Sequence, residues 1–163
     1  MPGRSNTMPA GRRNRLATAA ALLLTAGSVL AGTDLDRYRW EARLLLAFAP
    51  SVEAPGWAGL QQRLEQRASA LADRDLVVFR VLGHGGSRGA APLSREDAAA
   101  LRSRFGVAAE ESALILVGKD GGVKRRTTLD AELPDIFRQI DAMPMRRQEM
   151  ADKRRRGEPV TAP

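Results

Sequence analysis

Three short apolar runs, at 44–48, 76–82 and 114–117, alternate with stretches whose apolar residues recur every three to four positions. A run that is apolar at nearly every position must be covered on both faces, which describes a strand inside a helix-covered sheet. After the first run, Trp57, Leu60, Leu64, Ala68 and Leu71 place one apolar stripe on a helix over 56–72. A glycine cluster at 83–89 ends the second run and reads as a mobile loop. Ser94, with Asp97 three residues on, forms a capping box that opens a helix carrying Ala98, Leu101 and Phe105 and stopping at Gly106.

The third run ends in a tight turn at 119–122 leading into the half-polar 123–127, the pattern of an edge strand. Lys119 and Asp120 are expected to pair with each other at that turn. Asp130 is expected to cap a last helix, with Leu133, Ile136, Phe137 and Ile140 inward and an end before Pro144. Strand followed by helix and strand implies a parallel right-handed crossover. The order β-α-β-α-β-β-α, with two parallel strands first and a hairpin last, predicts a single thioredoxin-like α/β domain over 32–145, its central mixed sheet flanked by helices.

Outside that body the chain changes character. Arg12, Arg13 and Arg15 precede an apolar stretch over 16–30 that closes on Val29, Leu30 and Ala31. This is the pattern of a signal peptide over 1–31, cleaved after Ala31, with export to the periplasm or the outside. The apolar stretch is shorter than the roughly 20 residues that cross a bilayer as a helix, so no transmembrane anchor is expected in the mature chain. From Arg146 the sequence is charged with almost no apolar stripe, and 146–163 is expected to be a frayed helical extension followed by a disordered basic tail.

The net charge of +7 comes from these ends, since the positive and negative residues over 32–145 balance. A nucleic-acid reader would carry a basic stripe with aromatics on its folded part, so nucleic acid is not an expected partner. The chain contains no cysteine, which removes thiolate nucleophiles, thiolate metal ligands and dithiol exchange together. The domain must also be stable without a disulfide in an oxidising compartment, and a monomer is expected.

Three blocks carry a resemblance to a known family: Tyr38-Arg39-Trp40-Glu41-Ala42-Arg43-Leu44-Leu45-Leu46-Ala47-Phe48-Ala49-Pro50-Ser51, then Val117-Gly118-Lys119-Asp120-Gly121-Gly122-Val123-Lys124, then Ile140-Asp141-Ala142-Met143-Pro144-Met145-Arg146-Arg147-Gln148-Glu149-Met150. They resemble a domain-of-unknown-function family found as short exported bacterial proteins, whose domain is repeated in equarin-type vertebrate extracellular-matrix proteins. The resemblance implies a thioredoxin-like fold related to peroxiredoxins, a redox ancestry, and matrix or adhesion roles for the vertebrate members. It supplies no catalytic residue. Where a thioredoxin keeps its cysteine pair, this chain has Ala49-Pro50-Ser51-Val52-Glu53-Ala54. Where thioredoxins keep a cis-proline, it has Ala109-Glu110-Glu111-Ser112-Ala113. Both departures argue against redox function.

Several constellations invite chemistry. Gly85-Gly86-Ser87-Arg88-Gly89 fits the G-x-S-x-G of a hydrolase nucleophile elbow, but no helix follows at once and the one histidine, His84, is only three residues upstream. The same loop lacks the third glycine of a dinucleotide fingerprint and the Gly-Lys-Ser/Thr of a phosphate loop. Met143, Met145 and Met150 are soft donors suited to Cu(I), yet read better as Met143 and Met145 filling the base of the core. No metal and no cofactor is expected. Tyr38 and Trp40 read as core or lid residues.

The first functional reading is a non-enzymatic binding or scaffold protein of the cell envelope, whose partner is an envelope protein or polysaccharide. Its loops, holding Pro50, Ser51, Glu53 and Trp57 on one side and His84, Ser87 and Arg88 on the other, leave the carboxyl ends of parallel strands, where ligands bind in open α/β sheets. The alternative is a cysteine-free enzyme, oxidoreductase-related or a hydrolase, using Ser51, Glu53, His84 or Ser87. A further alternative is attachment to polyanions through Lys153, Arg154, Arg155 and Arg156.

Overall fold

The computed structural model describes residues 34–161, so the leader over 1–31 lies outside the described residues. Six strands form one sheet in the order β4-β3-β2-β1-β5-β6. At its centre, β1 (Arg43–Phe48) runs parallel to β2 (Leu76–Leu82) and antiparallel to β5 (Ala113–Val117). All six β1 residues are buried, as are all five of β5, which is what unbroken apolar runs require of central strands. The half-polar β6 (Val123–Thr127) pairs only with β5 and forms one edge.

Alternation along β1 divides the core. Leu45 and Ala47 face one layer, against Leu60 and Leu64 of α1 (Trp57–Gln66), Ala70 and Leu71 of α2 (Ala68–Asp73) and Phe137 and Ile140 of α4 (Leu133–Asp141). Leu44, Leu46 and Phe48 face the other, against Ala98 and Leu101 of α3 (Arg95–Phe105). Helices on both faces of a mixed sheet match the expected architecture. The α3 boundaries also follow the sequence, since the Ser94 hydroxyl accepts the Asp97 amide N–H at 3.0 Å and Gly106 closes the helix at φ 59°.

Six details differ from expectation. The helix over 56–72 is broken at Arg67 (φ −112°, ψ 20°), and the break brings Ala70 inward where an unbroken helix would have buried Ala68. Residues 83–89 are not a mobile loop: Gly85–Arg88 forms β3 and Ala91–Leu93 forms β4, extending the sheet antiparallel from β2. Their glycines permit this pairing, because a Cβ on Gly86 would stand 1.8 Å from the Arg80 carbonyl oxygen. Asp130 does not cap α4; Glu132 precedes it without a side-chain cap, and Pro134 sits in its first turn, where a missing N–H costs nothing. Met143 packs against the core, but Met145 is 40% exposed and fills no part of it.

The fifth difference is the largest. Pro144–Arg155 is helical, as expected from Arg146 onward, but this helix, α5, is docked and not frayed. Its docking is ionic, which explains why no apolar stripe announced it. Arg146 is fully buried and reaches Asp73 at 2.5 Å and Asp141 at 3.2 Å. Glu149 accepts from both Nη groups of the buried Arg43 at 3.1 Å each, and pairs with Lys119 at 2.9 Å. Lys153 holds Asp73 at 2.5 Å, and beyond the helix Thr161 donates its amide to Asp73 and accepts from buried Arg74. Lys119 therefore pairs with Asp75 and Glu149, while Asp120 pairs with Lys124, correcting the expected pair within the turn.

Candidate functional site

The loop after β1 and the start of the β2–β3 connection meet at the carboxyl ends of the two parallel strands. Gly83 donates its N–H to the Pro50 carbonyl at 3.1 Å, so the two segments are tied backbone to backbone. A Cβ at position 83 would lie 2.8 Å from that same oxygen, which is why glycine stands there. Beside the tie opens a cleft of about 420 Å³, lined by Val52, Trp57, Gln61, Arg80, Leu82, His84, Gly86 and Ser87.

Each wall follows from local structure. Trp57 opens α1 and is 5% exposed, so its ring serves as cleft wall and core residue together. Gln61 lies one turn further on, with its Oε1 accepting from Arg80 Nε at 2.5 Å. Arg80 of β2 and Ser87 of β3 are directly opposed in the ladder and share a sheet face. Val52, 50% exposed, is one of few large apolar side chains left in solvent.

The residues expected to act are thus partly assembled. Trp57, His84 and Ser87 line the cleft. Ser51 and Glu53 sit beside it: the Ser51 hydroxyl holds the Glu53 carboxyl below its ordinary range, with a smaller contribution from the nearby His84. Arg88 lies on β3 but outside the lining, and Pro50 contributes only its carbonyl. The hydrolase elbow is absent, since Ser87 lies within a paired strand and not at a strand-to-helix turn. Among the described residues no three His, Asp or Glu side chains group as a metal site would need, and no helix is long and apolar enough to cross a membrane. Of the basic tail, Lys153 is spent on Asp73, Arg155 on Asp152 and Arg156 on Glu158.

The model of a family described as Domain of unknown function (DUF4174) matches residues 34–149. The chain belongs to the DUF4174 family. The matched span takes in every described strand and the first half of α5, so the Arg146 and Glu149 contacts of that helix lie inside the DUF4174 domain, while Lys153 and Thr161 lie beyond it. A curated relative, Coiled-coil domain-containing protein 80 of Danio rerio, is 35% identical over 136 residues, covering 72% of this chain and only 16% of that protein. Among solved structures, the reduced 2-Cys peroxiredoxin of Plasmodium vivax matches with a TM-score of 0.53 at 17% identity, covering 70% of this chain and 84% of that one. The thioredoxin peroxidase I of Plasmodium yoelii has a TM-score of 0.49 at 18% identity, covering 78% and 83%. At such identity the peroxiredoxin likeness concerns the fold alone: the DUF4174 domain here is thioredoxin-like, and it has no cysteine.

Two features of this DUF4174 domain were not legible as site residues. Gln61 lies on a helix and Arg80 on a strand, and only the folded sheet brings them together. Arg102 of α3, 8% exposed, braces the end of β1 by donating to the carbonyl of Ala49 at 2.5 Å, and also donates to those of Ala108 at 2.7 Å and Glu111 at 3.2 Å. An arginine at that position reads from sequence as a solvated residue, because nothing local reveals that the carbonyls at the end of β1 need donors.

Proposed function

We propose that this chain is a non-enzymatic binding module of the cell envelope, exported behind a cleaved leader, whose cleft at the ends of β1 and β2 receives an envelope protein or polysaccharide. The observation that carries the reading is the convergence of the two segments at one partly apolar cleft at that end of the sheet. Ligands of open α/β sheets bind outside the carboxyl ends of the strands, because strand and helix termini diverge there and leave a crevice. A binding role is favoured over catalysis by the side chains themselves. The cleft offers no thiol, and its serine lacks an elbow. Export rests on the basic, apolar and small-residue succession over 12–31.

The test is to follow the backbone amide spectrum of the isotope-labelled chain while adding fractionated envelope protein and polysaccharide. Saturable shifts confined to residues 50–61 and 80–88 support the reading. Shifts absent from this region while another face responds overturn it. Turnover on a hydrolase or peroxidase panel, lost in a Ser87→Ala or His84→Ala variant, would favour the enzyme instead.

A further inference from the structure

Resting on that reading of the cleft, we infer that its ligand presents a carboxylate next to an apolar group. The argument starts from one amide. Gln61 Oε1 is committed to Arg80 Nε, which fixes the orientation of the side chain and leaves Nε2 as donor. That Nε2 is buried and has no acceptor. A buried donor without a partner costs free energy, so an acceptor entering the cleft gains by drawing Nε2 of this lining residue out toward it.

The neighbours agree on what the acceptor should be. Arg80 donates only through Nε among the described residues, leaving its paired Nη groups for an incoming oxyanion. Ser87 and His84 can also donate, and no carboxylate lines the cleft. Trp57 and Gln61 come from the first two turns of α1, where the helix dipole adds positive potential. Glu53, the nearby acid, lies outside the lining and is held by the Ser51 hydroxyl. Trp57, Leu82 and Val52 make part of the lining apolar, which suits a carboxylate whose attached group is greasy and not a bare inorganic anion. A peptide carboxyl terminus and a free organic acid share this chemistry.

The experiment titrates the labelled chain with N-acetyl-L-phenylalanine, its amide, and inorganic phosphate, reading the Gln61 side-chain amide and the Trp57 indole. The acid is expected to shift both saturably. The amide should bind about tenfold more weakly or worse, the loss that goes with one charge-assisted hydrogen bond. Gln61→Glu keeps the acceptor for Arg80 but turns the orphan donor into an acceptor, and should weaken the acid by a similar factor with the rest of the spectrum retained. Equal binding of acid and amide, binding as tight in Gln61→Glu, or phosphate matching the acid would each overturn the inference, as would no shift at Gln61 with any probe. In that last case, shifts of the same cleft by envelope fractions would leave the binding reading standing and remove only the carboxylate. A peptide ending in phenylalanine that binds more tightly than the acid supports the inference with a peptide terminus as source; one that binds no more tightly supports it with a small acid.

Discussion

Replacing Glu149 by glutamine probes the ionic seat of α5. The carboxylate takes two hydrogen bonds from Arg43, whose side chain is 1% exposed, and pairs with Lys119. Glutamine keeps the volume but leaves the Arg43 charge buried without its partner. Breaking a fully buried pair costs about 3–5 kcal/mol. Glu149 retains 22% exposure, and Arg43 keeps its bond to the Arg74 carbonyl at 3.0 Å, so about 2 kcal/mol is expected here. For a domain of this size that is a fall in Tm of about 6–10 °C, measured by thermal melting with urea unfolding as a check. The exposed pair Arg138–Asp135 gives the contrast, and Arg138→Ala should change stability by less than about 0.5 kcal/mol. A Glu149→Gln Tm within about 2 °C of the parent would refute the claim that charge, and not packing, seats this helix.

Three further outcomes follow from the same geometry. Burial pushes the Asp73 and Glu149 carboxyls up, but hydrogen bonds from Lys153 and Arg146 in one case and from Arg43 and Lys119 in the other outweigh it and hold both below their ordinary range. A depressed folded pKa contributes stability that is fully present above the unfolded value, so urea unfolding should be flat from pH 6 to 8 on account of these groups. Stability should decline below about pH 4.5, and the decline should be reduced in Glu149→Gln. Truncation after Met150 removes Lys153 and Thr161 from Asp73 and Arg74, and should cost about 1–2 kcal/mol in chemical denaturation, whereas a free tail would cost nothing. Gly86→Ala must push β3 from β2 and should cost about 2–3 kcal/mol, while Gly89→Ala, at φ 56° with open space around it, should cost about 1 kcal/mol.

The sequence announces what periodicity can encode and hides what depends on distant charge. The limits of β1, the edge position of β6 and the cap at Ser94 were all readable, because apolar runs, alternation and capping boxes act locally. The hairpin at 85–93 was not, because a glycine-rich, prolyl segment is locally a loop and forms strands only when β2 offers an edge. The docking of α5 is hidden for a related reason: a helix seated by Arg146, Glu149 and Lys153 on carboxylates and guanidinium groups from three other elements has no apolar stripe to detect. Of the candidate site residues, Trp57, His84 and Ser87 meet at one cleft at the strand ends. The Gln61–Arg80 pair is not legible in the sequence because it joins residues 19 positions apart.

The most direct measurement compares two surfaces of the same molecule. A photoreactive benzoylphenylalanine is placed at position 52, beside the cleft, or at position 40, where the 61% exposed Trp40 marks the opposite end of β1. Each chain is irradiated in living cells that express it. The account predicts a discrete crosslinked product from position 52 that disappears in Gln61→Glu, and none from position 40. A product from position 40 alone would put the working surface at the other end of the sheet and contradict it.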